Sequence, residues 1–386
     1  MRRALVVFYL LGLVSLFADM VYEGGRSVSG AYLEFLNSPA VGAALIGVGD
    51  FIGYVLRFIT GYVASVYQSS TLLWASVIAG YAITALSIPL LAFTSSWSIA
   101  VLLYMVDRVG KGLRAPSREA IVAEVSEGFG LGKGFGIHEL LDQLGAFSGP
   151  LIVSMSLMYW GYREAFLLLI IPGAVAVTLV VVASAVYPSI KGFDRVRKAE
   201  VGFKGLGKPF WLYTMASSLL ALGFMHWAIA SYYLSANKVL TDYEVGLTFS
   251  LAMLVDALVA IPLGHLFDKT KLNVLLIQPP LALAFTLILM LGVRELIPMA
   301  AICWGIVMCS EESIMKASIA YLVDPPKRPL AYGAFGLLFG LLWSLGGFVY
   351  SYLLPNKLYT TTYALITSTA SLIAYVKLTS MRRAIP

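Results

Sequence analysis

Long apolar runs alternate with short polar breaks along almost the whole chain. A helix needs about 20 predominantly apolar residues to cross a bilayer. Reading the runs against the breaks predicts twelve membrane-spanning helices, which we call spans 1 to 12. Their predicted bounds are 4–35, 40–67, 71–94, 97–124, 132–158, 163–187, 209–236, 243–268, 272–293, 296–323, 329–354 and 358–378.

The only substantial polar stretch between these helices is 188–208, which is rich in Lys and Arg. It predicts an N-terminal six-helix half at 1–187, a basic linker at 188–208 and a C-terminal six-helix half at 209–386. The first apolar run follows Met1-Arg-Arg but shows no small-residue cleavage site, so we interpret it as an uncleaved first span. The predicted fold class is an all-α membrane protein.

Composition supports the same class. Of the 386 residues, 59% are hydrophobic and 12% are charged, whereas soluble domains carry about 25% charged residues. A water-soluble globule cannot hide so much apolar surface. The two cysteines, Cys303 and Cys309, lie in an apolar stretch and lack the spacing of a four-ligand metal site, so they are interpreted as packing residues.

The net charge of +6 is explained by topology. If both termini and the linker lie inside, 16 of the Lys and Arg residues fall in inner segments and 4 in outer loops. An excess of basic residues marks cytoplasmic loops. We therefore expect both termini to be cytoplasmic, and no nucleic-acid partner is needed to explain the basic charge.

Charged residues inside the spans follow a period of three helices. Spans 3, 6, 9 and 12 carry no Asp, Glu, Lys or Arg between their ends. Helices without charge can face lipid, whereas charged ones must face protein or water. A repeat with the third helix outermost is typical of inverted three-helix repeats nested in two halves.

Two charged rows lie at helical spacing on spans 1 and 4. They are Asp19, Glu23 and Arg26 on span 1, and Asp107, Lys111, Arg114 and Arg118 on span 4. An unpaired charge in the membrane costs at least about 2.5–3.5 kcal/mol, so the acidic patch and the basic row are natural partners. They indicate either structural ion pairs or a water-filled cavity that binds substrate or carries protons.

Spans 5, 7, 8 and 10 add further polar candidates. On span 5, His138 and Asp142 share a face with Gly145 and Gly149, which precede Pro150; glycines on one face allow close helix approach. On span 10, the expected i, i+4 pair of Glu312 and Lys316 leaves Glu311 without a local partner. The remaining candidates are single residues, His226 on span 7 and Asp256 on span 8.

Several motifs resemble those of the major facilitator superfamily. Gly264-His-Leu-Phe-Asp268-Lys269 is similar to its cytoplasmic gate motif, and Arg108-Val-Gly-Lys-Gly112 to its motif in span 4. The spacing of Gly136, Gly145, Gly149 and Pro150 resembles the signature of drug–proton antiporters. The stretch 107–120 is similar to a longer signature of a poorly characterised prokaryotic group. In the first half, Ser65 and Val66 replace the expected Asp and Arg of the gate motif.

The resemblance implies alternating access, with spans 1, 4, 7 and 10 lining a central cavity. It implies gating roles for Gly145, Gly149, Pro150, Gly264, Asp268 and Lys269. In the proton-coupled version, Asp19 or Glu23 takes up a proton, which weakens its attraction to Arg108, Lys111 or Arg114. The chain has no GxxxxGK[ST] loop, so an ion or substrate gradient is the expected energy source. No cofactor is expected.

The leading hypothesis is a monomeric, proton-coupled exporter of small organic molecules in a prokaryotic plasma membrane. One alternative is an exporter of divalent metals or metal chelates that uses Asp19, His226, Cys303 and Glu311. A second is an amphiphile or lipid transporter, and a third is a receptor-like homologue that no longer transports, which the altered first-half gate motif would favour. No nucleophile–base spacing or cofactor motif indicates an enzyme.

Overall fold

The computed structural model describes residues 2–67, 69–126, 131–190, 206–324 and 327–381. Within these ranges the chain is helical and contains no strand, so the predicted all-α fold is confirmed. Most of the predicted linker, 191–205, lies outside the described residues, as do Arg382 and Arg383. The side chains of Lys133 and its neighbours in 131–136 are also outside the description.

The helices follow the twelve predicted spans. In the first half they are Arg2–Ser27 and Ser29–Phe35 (span 1), Ala40–Tyr67 (span 2), Ser70–Leu90 with the 3-10 turn Leu91–Phe93 (span 3), Trp97–Ser126 (span 4), Leu131–Tyr159 (span 5), and Tyr162–Leu168 with Ile170–Val186 (span 6). In the second half they are Lys208–Gly223 and Trp227–Ala236 (span 7), Asp242–Thr270 (span 8), the 3-10 segment Lys271–Ile277 with Gln278–Leu291 (span 9), Arg328–Leu353 (span 11) and Lys357–Ser380 (span 12). Span 10 consists of the 3-10 turn Arg294–Leu296, the α-helix Ile297–Cys309, the π-helix Ser310–Ile314 and the α-helix Met315–Leu322.

Apolar length accounts for most of these helices. Nine stretches of the described chain are long and apolar enough to cross a membrane, and Asp242–Leu291 contains both span 8 and span 9. Spans 4 and 12 are the more polar ones and are not among the nine. Span 4 crosses the middle of the bundle, where protein rather than lipid surrounds its charged residues.

Local chemistry sets several helix ends. The amide oxygen of Asn356 accepts hydrogen bonds from the backbone N–H groups of Leu358 and Tyr359, which begins span 12. Thr241 and Glu244 form a capping box at the start of span 8. Both devices satisfy backbone donors that the first helical turn leaves without partners.

The two halves repeat one packing pattern. In the first half, span 1 packs on spans 5 and 6, span 4 packs on spans 2 and 3, and span 3 packs on span 6. In the second half, span 7 packs on spans 11 and 12, span 10 on spans 8 and 9, and span 9 on span 12. Between the halves, span 2 packs on span 11 and span 5 on span 8. The chain therefore forms two equivalent six-helix halves.

Hydrogen bonds between the halves concentrate at the end of the bundle away from the termini, which we call the distal end. There the Gly30 N–H donates to Ser231 Oγ at 2.9 Å, and Trp227 Nε1 donates to the Ser27 carbonyl at 2.7 Å. Tyr232 donates to the Ser38 carbonyl at 2.9 Å. Spans 1 and 7 thereby close the distal end.

The helices of spans 1, 6, 7 and 10 are interrupted, which the predicted span bounds did not indicate. Span 1 breaks at Val28, span 6 at Leu169 and span 7 at 224–226, while span 10 contains a π-helix. Val28, Leu169 and Phe224 at the breaks of spans 1, 6 and 7 are apolar, so hydropathy does not reveal these interruptions. Three of the four broken spans, 1, 7 and 10, meet in the middle of the bundle.

Candidate functional site: a charged centre between the halves

The carboxylate of Asp50, in the middle of span 2, joins groups from both halves. Its Oδ1 lies 3.1 Å from Arg108 Nε of span 4, and its Oδ2 lies 2.8 Å from His226 Nε2 of span 7. His226 is the last residue of the break in span 7, and its Nδ1 accepts a hydrogen bond from the Ala228 N–H at 3.0 Å. The break thus points an imidazole across the interface between the halves.

Span 1 contributes an internal ion pair to this centre. Arg26 Nη1 lies 3.4 Å from the carboxylate of Glu23, and both side chains are buried. The guanidinium also faces the rings of Phe249 and Trp304 in the second half, at 5.7 and 5.6 Å from their centroids. A cation over an aromatic face is stabilised when it is removed from water. Arg26 therefore belongs to the first half but is enclosed by the second.

Lys111 is a charged group of the centre whose bonding capacity is largely unused. Its ammonium lies 4.1 Å from the ring centroid of Tyr22, and the side chain is half-buried. Among the described residues it donates no hydrogen bond and has no carboxylate within 4.0 Å. It interacts electrostatically with Glu23, Asp19 and Glu312 over longer distances. An ammonium has three donors, so this group can bind an acceptor on another molecule.

Span 10 supplies the acidic residues of the second half. Tyr54 of span 2 donates to Glu311 Oε1 at 3.3 Å across the interface between the halves, and Glu312 interacts electrostatically with Arg26 and Lys111. Both carboxylates are half-buried. Asp256 of span 8 is almost fully buried and interacts electrostatically with Glu312.

The expected ion pair between Glu312 and Lys316 is not formed within the described chain. The reason is local geometry, because Glu312 lies within the π-helix Ser310–Ile314. A π-helix places more than the usual residues in each turn, so positions i and i+4 no longer lie one above the other. Lys316 is exposed instead.

A second polar cluster lies inside the first half. Arg118 Nη1 lies 3.6 Å from Asp142 and donates to Ser15 Oγ at 3.2 Å. His138 Nε2 lies 3.0 Å from the same Ser15 Oγ and 3.8 Å from Asp142. Arg114 instead donates to Thr84 Oγ1 of span 3 at 2.8 Å.

The sequence predicted that the acids of span 1 pair with the basic row of span 4. The structure shows no direct contact between them within the described chain. In the described chain the ion-pair contacts of span 4 run to Asp50 of span 2 and Asp142 of span 5, apart from Asp107 next to Arg108. Asp107 is fully buried, and Asp19 interacts with Lys111 and Arg118 only at longer range. Members of the row contact span 3 through Arg114 and span 5 through Arg118.

The glycines of span 5 bring it against span 1. A Cβ on Gly145 would lie 2.2 Å from the Leu16 carbonyl oxygen, and one on Gly149 would lie 2.2 Å from that of Met20. Either distance is far inside van der Waals contact, so only glycine allows this backbone approach. Pro150 follows within the same helix.

The other gate residues lie apart from the centre. Asp268 and Lys269 are exposed near the end of span 8 and form no ion pair with a described residue. A Cβ on Gly264 would meet no atom within 4 Å. Within the described chain, none of these three residues takes part in the ion pairs of the charged centre.

The four residues of the metal-exporter hypothesis do not converge. Asp50 contacts His226, Tyr54 contacts Glu311, and Cys303 of span 10 takes part in neither contact. No group of three or more His, Cys, Asp or Glu side chains within the described residues is arranged to hold a metal ion.

Comparison with known proteins decides the family. The sequence profile described as Major Facilitator Superfamily matches residues 14–347. The chain belongs to the major facilitator superfamily. Members of this superfamily are membrane transporters and not enzymes, so the protein is a multi-pass membrane transporter.

Relatives and solved structures agree with this family. The chain is 30% identical to uncharacterized protein Rv2265 of Mycobacterium tuberculosis over 88% of this chain and 84% of that protein. It is 27% identical to uncharacterized MFS-type transporter MJ1317 of Methanocaldococcus jannaschii over 68% of this chain and 66% of that protein.

Its fold matches that of the nucleoside transporter NupG with a TM-score of 0.74 at 14% identity, covering 97% of this chain and 98% of that chain. A peptide transporter POT in complex with sulfate matches with a TM-score of 0.78 at 12% identity, covering 98% and 95%.

Three residues of the charged centre were not among the sequence-predicted site residues, namely Asp50, Tyr54 and Tyr22. Asp50 is a single acid in an otherwise apolar part of span 2. Since span 4 carries an excess of basic residues, the lone acid on a neighbouring span was the signal that could have found it. The two tyrosines carry no such signal, because aromatic residues are frequent throughout the chain.

Proposed function

We propose that this facilitator works by alternating access as a proton-coupled exporter of small organic molecules. The observation that carries the proposal is the charged centre, where Asp50 and Tyr54 of the first half contact His226 and Glu311 of the second, beside Arg108 and Lys111. Ionisable groups inside a membrane protein are costly and mark transport or proton pathways. Their position between the two halves couples their charge state to the relative arrangement of the halves.

The shape of the bundle supports an alternating-access cycle. The distal end is closed by spans 1 and 7, whereas Glu119, Glu139 and Lys316, which lie nearer the end that carries the termini, are exposed. We interpret this arrangement as a state that opens toward the termini. An exporter must load its substrate from the cytoplasm, so this state is the loading state if the termini are cytoplasmic.

The charges of the centre restrict the substrate. Lys111 presents an ammonium without a hydrogen-bond acceptor among the described residues, and Asp19 and Glu312 present carboxylates within its electrostatic reach. A fully apolar ligand would leave these groups desolvated and unpaired, which is unfavourable. We propose a small molecule with polar or charged groups, which gives less support to the amphiphile alternative.

The test is proton-driven flux in proteoliposomes. Thermal stabilisation of the purified protein first selects ligands from a library of small organic acids, amines and zwitterions. A ligand gradient is then imposed, and proton movement is followed with an entrapped pH-sensitive dye. Glu23→Gln and Lys111→Met are expected to reduce ligand-driven proton movement at least about tenfold, whereas the exposed Glu164→Gln serves as control. Ligand flux without proton movement would contradict the coupling.

We also propose that the protein lies in a prokaryotic plasma membrane as a monomer with both termini cytoplasmic. The bacterial and archaeal relatives support a location in a prokaryotic plasma membrane, and the distribution of Lys and Arg supports the cytoplasmic orientation of both termini. Fusion of a reporter that fluoresces only in the cytoplasm to the C-terminus tests the orientation. A dark fusion that is nevertheless inserted in the membrane would contradict it.

A further inference from the structure

We propose that Asp50 is the proton-binding group that releases the contact between the halves, with His226 as its partner across the interface. The inference rests on the proposed function and names the site of its proton coupling, which the sequence had placed on Asp19 or Glu23. Its basis is one carboxylate shared between Arg108 of its own half, at 3.1 Å, and His226 of the other half, at 2.8 Å.

The hydrogen bonds of His226 fix where its proton lies. Nδ1 accepts from the Ala228 N–H at 3.0 Å, so this nitrogen carries no hydrogen. The hydrogen of the neutral ring is therefore on Nε2, and it is donated to Asp50. A second proton on His226 would have to displace the Ala228 bond at the start of the helix Trp227–Ala236. The free lone pairs for an incoming proton are on the carboxylate of Asp50.

Charges around Asp50 define what protonation changes. Arg108 and Lys111 face it from span 4, Arg26 from span 1, His226 from span 7 and Glu311 from span 10. A hydrogen bond to a carboxylate is about twice as strong as a neutral one. When Asp50 becomes neutral, the His226 contact loses this charge assistance. Arg108 keeps a counter-charge in Asp107, whose Oδ2 lies 3.9 Å from its Nε.

The position of His226 connects this contact to the closed distal end. The helix that begins directly after it, Trp227–Ala236, carries Trp227 and Ser231, which bond to span 1. Releasing His226 therefore frees the inner end of the helix that closes the distal end. The charged contact holds the empty, deprotonated carrier closed, and proton binding to Asp50 allows the distal end to open. This contact prevents the carrier from changing conformation when it has bound neither a proton nor a substrate.

The experiment measures opening directly and needs no substrate. Spin labels at the exposed positions Ser95, in the loop between spans 3 and 4, and Glu295, in the 3-10 turn between spans 9 and 10, report the distance between the halves at the distal end. The full chain is measured in nanodiscs. A pair at Tyr67 and His265 reports the opposite end. The labels are placed in a Cys303→Ser, Cys309→Ala background, and distances are measured at pH 8 and pH 5.5.

In the unsubstituted protein, the ratio of open to closed distal ends is expected to rise as pH falls, by up to about tenfold per pH unit for one proton. Asp50→Asn should open the distal end at both pH values and remove the pH dependence. His226→Asn should also open it at pH 8, because Asn keeps a cap for the helix but does not reach Asp50. Glu164→Gln should behave like the unsubstituted protein, and melting temperatures check that all variants fold.

The outcomes separate the inference from the proposed function. If the unsubstituted protein opens with falling pH and Asp50→Asn keeps the same pH response, Asp50 is not the proton site and the inference is overturned, while proton coupling stands. If the distances of the unsubstituted protein do not depend on pH, proton coupling fails and the inference fails with it. Loss of the pH response in Asp50→Asn, with a normal response in the exposed control Glu164→Gln, would support Asp50 as the proton site.

Discussion

Glycines at the interface between helices set how closely the two halves approach. A Cβ on Gly30 would lie 1.8 Å from the Ala228 carbonyl oxygen and 2.5 Å from the Tyr232 nitrogen, both backbone atoms of the other half. A Cβ on Gly47 also faces the other half but would lie 3.8 Å from Ser344, which is ordinary contact. The two positions therefore form a matched pair for testing closure of the distal end.

Gly30→Ala is expected to hold the distal end open. Alanine favours a helix over glycine by roughly 1 kcal/mol, so a loss of closure reports the clash and not a weaker helix. Overpacking costs about 1–3 kcal/mol, which shifts the open-to-closed ratio roughly five- to hundredfold. Distances between labels at Ser95 and Glu295 measure the shift. Gly47→Ala should keep the distribution of the unsubstituted protein, and a closed Gly30→Ala would refute the steric argument.

Helical spacing predicted the face that a side chain occupies but not the distant residue that it contacts. Periodicity placed Asp19, Glu23 and Arg26 on one face of span 1, and Arg26 does pair with Glu23. It could not place Asp50 against His226, because these residues are 176 positions apart and share no local pattern. Local spacing encodes which face a side chain occupies, whereas tertiary packing decides which distant face it meets.

Among the elements, interruptions within helices carry the polar centre. The π-helix Ser310–Ile314 places Glu311 and Glu312 in the middle of span 10. Next to it, the fully buried Gln278 of span 9 donates to Ser310 Oγ, and Tyr375 of span 12 lies 3.5 Å from the same amide. This contact ties the π-helix to two neighbouring spans. Helical spacing predicted the helix but gave no sign of its altered turn.

Ser310→Ala should therefore lower the free energy of unfolding of the second half by more than the removal of a hydroxyl without a buried partner would. It leaves the buried amide of Gln278 with one donor unsatisfied, which costs about 1–3 kcal/mol. The double variant Ser310→Ala, Gln278→Leu removes both polar groups and should cost less than the sum of the single variants. Unfolding of the purified protein, followed by its melting temperature and by denaturant, measures this. Ser351→Ala on span 11, whose hydroxyl bonds its own helix at Phe348, is the control, and strict additivity would contradict the coupling.

At the scale of the whole molecule, the membrane makes the architecture the most predictable feature. The apolar runs and the basic segments between them were sufficient to predict twelve spans, because lipid requires long apolar helices with internal hydrogen bonds. The same solvent hides the breaks of spans 1 and 7, because an apolar residue such as Val28 or Phe224 has the same hydropathy inside or outside a helix. Hydropathy therefore predicts the number of helices well and their internal geometry poorly.

We propose that 1–187 and 209–386 are units that fold independently and move as bodies. The same pairs of helices pack on one another within each half, and Asp50 and Arg108 remain paired within the first half. The isolated segment 1–187 should therefore insert, purify as a monomer in detergent and unfold cooperatively. A shorter segment, 1–126, lacks spans 5 and 6, which pack on span 1, and it removes Asp142 from Arg118.

The shorter segment should therefore aggregate or melt without a transition. Circular dichroism during heating, together with size-exclusion chromatography, distinguishes the two segments. An unstable 1–187 would mean that contacts between the halves are needed for folding. In that case the opening of the distal end would involve rearrangement inside each half and not the rocking of two bodies.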